Sequence, residues 1–190
     1  IVLVVLSILV SLIVVPLVTV MSVAGTGSEP LSRNLARIQQ NGMTVTTYHP
    51  DGSKDTDLTI SSTWPNSGVV TKEFGNPGPL YDHCHTGIDI AGKLDDPVSP
   101  VMDGTVIYAG EIFWGFGKHI IIDHGNNITS IYAHLNKIYV FKGQKVTTAD
   151  VIGGQGQTGW ATGVHLHLQI TVFGIPVNPR VFLDSQSTTN

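Results

Sequence analysis

Gly163-Val164-His165-Leu166-His167-Leu168-Gln169-Ile170 alternates without a break between apolar and polar side chains. In an extended strand, Val164, Leu166, Leu168 and Ile170 fall on one face, and His165, His167 and Gln169 on the other. The first face is fit for a core. On the second, two imidazoles open into the same space, about 7 Å apart at the backbone. Such a strand can hold a metal ligand and an acid–base group side by side. A half-exposed strand that carries two histidines without chemical purpose has the same pattern, so the rest of the chain has to decide.

From about Trp64 onward, short β-like runs recur between glycine-rich turns. They are Val69–Phe74, Gly87–Ala91, Val98–Met102, Thr105–Ala109, His119–His124, Ile128–Leu135, Lys145–Ile152 and Val164–Phe173. No long stretch here has a helical period, and Asp103-Gly104 and His124-Gly125-Asn126-Asn127 read as hairpin turns. The expectation is an all-β domain of about 120 residues over 64–184, followed by a frayed polar tail at 185–190.

Upstream, the character is different. Residues Ile1 to Val23 include no charged side chain, and the first charge is Glu29. As a helix they would span about 34 Å, enough for a bilayer core of about 30 Å. A hydrophobic helix ahead of the β domain is therefore expected, either a membrane anchor or a signal segment cleaved near Ser22-Val23-Ala24. Both readings send the protein to a membrane or beyond it, although Arg33 and Arg37 mildly oppose an outside location by the positive-inside rule. Residues 24–63 read as a spacer. Leu31, Leu35 and Ile38 have helical spacing and predict a short helix. Thr44–Tyr48, a turn at Asp51-Gly52, and Leu58–Thr63 suggest a hairpin.

The net charge of −4 leaves no basic footprint for nucleic acid, so none is expected as a partner. The single cysteine, Cys84, excludes an internal disulfide framework and a cysteine-rich zinc knuckle.

Seven of the eight histidines lie in the β domain. His85-Thr86-Gly87-Ile88-Asp89 sets an imidazole and a carboxylate four residues apart, on one face if the segment is extended, with Ile88 and Ile90 opposite. Both are standard zinc ligands; a surface ion pair is the plainer alternative. One histidine from the His-x-His strand would complete three protein ligands and leave a fourth position open, as in a catalytic zinc site. In Tyr132-Ala133-His134-Leu135, alternation with apolar Ile131, Ala133 and Leu135 directs His134 away from the apolar side. His119 and His124 border an isoleucine run and a turn and read as packing or turn residues. His83 could share the face of His85 as a supporting group, and His49 reads as solvated. Gly153–Gly159 lacks the Gly-Lys-Ser/Thr ending of a phosphate loop and reads as a turn region. Neither a Gly-x-Ser-x-Gly elbow nor a His-Glu-x-x-His helix is present.

The ordered set His85-x-x-x-Asp89, Tyr132-Ala133-His134-Leu135 and Gly163-Val164-His165-Leu166-His167 resembles the lysostaphin/LytM-type zinc metalloendopeptidases. Pro100–Val106, Gly115–Gly125 and Val151–Gly159 extend the likeness, which covers about Val69 to Val181. The resemblance implies a compact, mostly antiparallel β domain with a long cleft, hydrolysing peptide bonds of bacterial peptidoglycan. It implies one zinc held by His85, Asp89 and His167, with His134 and His165 as the catalytic pair. Tyr81, just before the first motif, is a candidate oxyanion donor. Leu168 and Gln169 depart from the aromatic and Glu of many relatives, and Ala149-Asp150 from a common glycine turn. These read as packing and turn variation. The competing expectation is a non-catalytic relative that binds wall or activates another hydrolase. A purely structural zinc is disfavoured because only three ligands are evident. A monomer working outside the cytoplasmic membrane, anchored or secreted, completes the expectation.

Overall fold

In the computed structural model the described residues are 36–38, 44–77 and 84–183. The apolar segment Ile1–Val23, the candidates Tyr81 and His83, and the tail 185–190 lie outside them. Among the described residues, no helix is long and apolar enough to cross a membrane.

The principal sheet is antiparallel throughout. Its strands are β4 (Val69–Lys72), β5 (Ile88–Ala91), β7 (Gly104–Glu111), β8 (Lys118–Asp123), β9 (Ile128–Leu135), β11 (Lys145–Val146), β13 (His165–Val172) and β14 (Ile175–Val177). Their order is β11-β7-β8-β9-β13-β5-β4, with β14 paired to β13. The strand that carries His-x-His is thus internal. β9 lies along one side of it over residues 167–172, and β5 and β14 share the other side.

Alternation along β13 holds as the sequence requires. Leu166, Leu168, Ile170 and Val172 are fully buried against Ile88 and Ile90 of β5 and Ile120 and Ile122 of β8. Burying each such side chain contributes about 1.5–3 kcal/mol relative to exposure. A second small sheet, ordered β10 (Lys137–Ile138), β12 (Gly153–Gly154) and β6 (Pro97–Val98), adds Val98 and, beside it, Ile152 to the same core. Lys145–Ile152, expected as one strand, is extended in a ladder only at Lys145–Val146. Thr147 then bonds the Asp150 carboxylate through its N–H and hydroxyl and turns the chain out of the sheet.

The N-terminal part forms a third sheet of β1 (Ala36–Ile38), β2 (Thr44–Tyr48) and β3 (Lys54–Thr59). The chain does turn back at Asp51-Gly52, with Gly52 at a φ of 85°, but the second arm of the hairpin is Lys54–Thr59 rather than the expected Leu58–Thr63. The helix suggested by Leu31, Leu35 and Ile38 is not what the end of that segment adopts. Ala36–Ile38 is extended and pairs with Val45–Thr47. Three apolar positions nucleate a helix poorly, and the open edge of β2 offers each backbone group a partner. Val45 is buried in the main core, and Leu58 and Ile60 pack against it. The chain closes on a short helix, α1 (Arg180–Leu183), where the Phe182 carbonyl accepts from the Ser62 hydroxyl.

At the turn between β8 and β9, His124 Nδ1 meets the Asp103 carbonyl at 2.9 Å and Nε2 meets Ser130 Oγ at 2.7 Å. Ser130 bonds the hydroxyl of fully buried Tyr132, which also accepts from the Val101 N–H. His124 therefore serves the turn, as expected. Burial is the main cause that pushes its imidazole below the ordinary histidine range. The unfolded chain then takes up this proton first on acidification, so His124 favours the fold above about pH 6.5 and disfavours it below. In urea melts, the midpoint is expected to fall from about pH 6.5 downward. His124→Gln should flatten that slope, and an unchanged slope would contradict the assignment.

Candidate active site

β13 presents His165 and His167 on the face opposite the core, and β5 supplies Asp89 directly across from His167 in register. Cross-strand partners share a face, which explains the 2.8 Å between His167 Nδ1 and Asp89 Oδ1. His85 arrives differently from the expectation. Four residues of continuous strand would separate its backbone from that of Asp89 by about 13 Å. Instead the chain bends at Thr86-Gly87 before β5 begins, and His85 Nε2 lies 3.0 Å from Asp89 Oδ1 and 3.0 Å from His167 Nδ1. The bend needs glycine. A Cβ at Gly87 would lie 2.2 Å from the Leu168 carbonyl oxygen and 2.9 Å from His167 Cε1. Gly87→Ala is expected to cost at least about 1–3 kcal/mol by overpacking against backbone. It should also weaken metal retention, because the clash separates His85 from Asp89. Denaturant melts and metal analysis of one preparation check both effects.

The donor set fits a small divalent cation. The His85 Nδ1–H donates to the Glu73 carbonyl at 3.0 Å, which leaves a lone pair on Nε2. That lone pair, His167 Nδ1 and an Asp89 oxygen converge with edges of 3.0, 2.8 and 3.0 Å. With the His85 proton on Nδ1, its Nε2 lone pair faces the Asp89 oxygen at 3.0 Å with no proton between them, a conflict that a cation among the three donors removes. Two imidazole nitrogens and one carboxylate oxygen form a standard zinc set. His167 Nε2 is buried without a hydrogen-bond partner among the described residues. Burial pushes the Asp89 carboxyl up, but the close approach of the His167 and His85 rings outweighs it and holds the group ionised far below the usual carboxylate range. Burial likewise lowers the His167 imidazole, against the pull of Asp89.

His134 reaches the same space through an irregularity. The register between β8 and β9 shifts between Lys118 and Ile120, so Ala133 and His134 together oppose His119. His134 has a φ of 62°. Alternation is thereby broken, and the sequence-based direction of this strand is corrected. Ala133 and Ile131 pair with His167 and Gln169 on the site face, while Tyr132 points into the core. The bulge lets two successive residues reach the site side, as bulges do beside functional sites. Two loops hold His134 there. Its N–H donates to the Phe116 carbonyl at 2.9 Å, and its Nδ1 bonds the Thr158 carbonyl at 2.8 Å. The His134 and His165 rings lie 4.7 Å apart. Burial first, then the neighbouring His165 and His167, lowers the His134 imidazole to about 4. His165 bonds the Gly163 carbonyl through Nδ1, and its Nε2 lies 3.8 Å from Asp89 Oδ1.

Five predicted residues, His85, Asp89, His134, His165 and His167, are thus brought together. His119 packs instead, stacked on Tyr108 at 4.5 Å. The orienting carbonyls of Glu73, Phe116, Thr158 and Gly163 were not anticipated. Backbone acceptors leave no side-chain signature, although Gly115, Gly117 and Gly159, all at positive φ, mark the turns that present two of them. Gln169, read as packing variation, accepts from the Thr86 hydroxyl at 2.7 Å and ties the His85 bend to β13.

Two imidazoles and a carboxylate converge on one sheet face with two further imidazoles at hand, an arrangement that could hold a metal ion. The chain belongs to peptidase family M23, whose profile matches residues 83–179. It is 43% identical over 154 residues to the peptidoglycan DD-endopeptidase ShyA of Vibrio cholerae, covering 75% of this chain and 36% of that one. It is 36% identical over 142 residues to the murein hydrolase activator NlpD of Salmonella typhimurium, covering 74% and 36%. The catalytic domain of lysostaphin from Staphylococcus simulans superposes with a TM-score of 0.59 at 28% identity, over 65% of this chain and 98% of that domain. This chain therefore spans little more than a third of the length of these two curated relatives.

Proposed function

We propose that the chain is a zinc-dependent endopeptidase that cleaves peptide bonds in bacterial peptidoglycan, acting as a monomer outside the cytoplasmic membrane. The observation that supports this most directly is the convergence of three donor atoms within 3.0 Å, next to the His134–His165 pair. His85, Asp89 and His167 would hold the ion. When bound, zinc supplies a Lewis acid that polarises a carbonyl and lowers the pKa of water towards 7.

The chain's own groups do the rest. His134 and His165 each commit Nδ1 to a backbone carbonyl, which leaves each Nε2 as the working atom. One of the pair accepts a proton from the attacking water. The other, once it carries a second proton on Nε2 as an imidazolium, donates a hydrogen bond to the developing oxyanion or passes that proton to the leaving amine. Asp89, anionic and shared between His85 and His167, fixes both rings while compensating positive charge. Tyr81, immediately before the first motif, is assigned as an additional oxyanion donor and His83 as a supporting group. The apolar segment Ile1–Val23 would deliver the domain to the wall side of the membrane.

Likeness to NlpD favours a second reading, an activator of another hydrolase. One experiment separates the two. The full chain, zinc-loaded or chelated, is incubated with purified peptidoglycan, and the muropeptides are then resolved. Endopeptidase action converts cross-linked dimers to monomers only with zinc. Intact cross-links, together with stimulation of an added amidase, would establish the activator instead.

A further inference from the structure

The two loops that orient His134 carry large aromatic side chains into solvent. Phe113 is 90% exposed, Trp160 77% and Trp114 49%, although Trp and Phe normally seek burial. The two indoles lie 6.4 Å apart with their planes at 51°. They neither stack on one another nor cover a core.

We propose that Trp114 and Trp160 form a saccharide-binding shelf that stacks a pyranose ring of the glycan strand while its peptide lies at His134 and His165. This deepens the peptidoglycan reading and rests on it for the identity of the glycan.

Continuity with the site is the first support. Trp114 lies two residues from Phe116, and Trp160 two residues from Thr158, the residues whose carbonyls hold His134. A ring on the shelf is thereby registered to the catalytic pair.

Rigidity is the second. The backbone N–H of Trp160 donates to the Gly115 carbonyl at 2.9 Å. A Cβ on Gly117 would lie 2.5 Å from the Gly159 nitrogen, and one on Gly159 would lie 2.3 Å from the Gly115 oxygen. The loops are locked together by backbone contact, so little ordering entropy remains to be lost on binding.

Charge selects the occupant. Residues 112–117 and 157–163 contain no Asp, Glu, Lys or Arg. Aromatic patches that seat on anionic membranes usually add Lys or Arg, and these loops have none. The polar side chains that flank Trp160 in the chain are neutral and include exposed Gln157 and Thr162. A pyranose has the matching form, an apolar C–H face edged by neutral hydroxyl and acetamido groups.

The test is titration of the full chain with chitotetraose, followed by calorimetry. Saturable binding is expected, weakened about 2–10-fold by Trp114→Ala or Trp160→Ala and largely retained by Trp160→Phe. Absence of saturable binding by a folded wild type, or equal binding by the double alanine variant, would overturn the shelf. Because this readout needs no peptide cleavage, failure of the endopeptidase reading would not disturb it. A second arm compares glycan-linked with amidase-stripped cross-linked peptides. Wild type should prefer the glycan-linked form, and the double variant should lose that preference. If the double variant keeps chitotetraose binding but no longer binds phosphatidylglycerol vesicles, the patch is a membrane contact and the proposal is wrong.

Discussion

His167→Ala, purified from cells supplied with zinc, is expected to retain essentially no metal and to leave peptidoglycan cross-links intact. His167 Nδ1 is one corner of the donor triangle and the shortest neighbour of Asp89. Without it, two ligands remain, too few to hold zinc against water. The loss also strands Asp89, a largely enclosed carboxylate that would keep only His85 within hydrogen-bond distance. His85→Ala and Asp89→Ala should behave alike. Elemental analysis of metal per chain is the direct check, made beside a melting curve that shows the variant is folded. Full occupancy in any of the three would mean that the ligand set is wrongly chosen.

His134→Ala and His165→Ala should separate chemistry from metal binding. Both should keep zinc, because neither ring contributes to the donor triangle, yet each should lose about 10²–10⁴-fold in turnover. The double variant should be little worse than either single one, since groups that act as a unit do not lose activity additively. Turnover is measured on a defined cross-linked muropeptide. A single variant with near-normal turnover would remove that residue from the mechanism.

Much of this site was legible in the chain before folding, and the reasons are local. β13 announces itself because a period of two over eight residues separates its core face from its polar face. The shared face of His165 and His167 followed from that pattern, while their proposed roles came from the resemblance to the lysostaphin/LytM-type peptidases. The face on which Asp89 stands also followed, since Ile88 and Ile90 define the opposite face of β5. What periodicity could not give was the departure from periodicity. The bend at Thr86-Gly87 brings His85 back on Asp89, and the bulge at Ala133-His134 reverses which side Tyr132 faces. Both depend on contacts with distant strands, Leu168 for the first and β8 for the second. At Ala36–Ile38, the end of the expected short helix, the same reason applies, because pairing with β2 overrode a weak local pattern.

The left-handed backbone at His134 has a consequence for the stability of the domain. An L-residue with a Cβ pays about 1–2 kcal/mol to sit there, and histidine is not the residue that pays least. The fold thus gives up conformational free energy where an imidazole is needed, which opposes selection for stability to selection for turnover. Among inactive variants, the usual ranking should therefore invert. In most strands alanine is the more stabilising residue and glycine the less. At this position His134→Gly should melt above His134→Ala, because both lack the ring and only the alanine still strains the bulge.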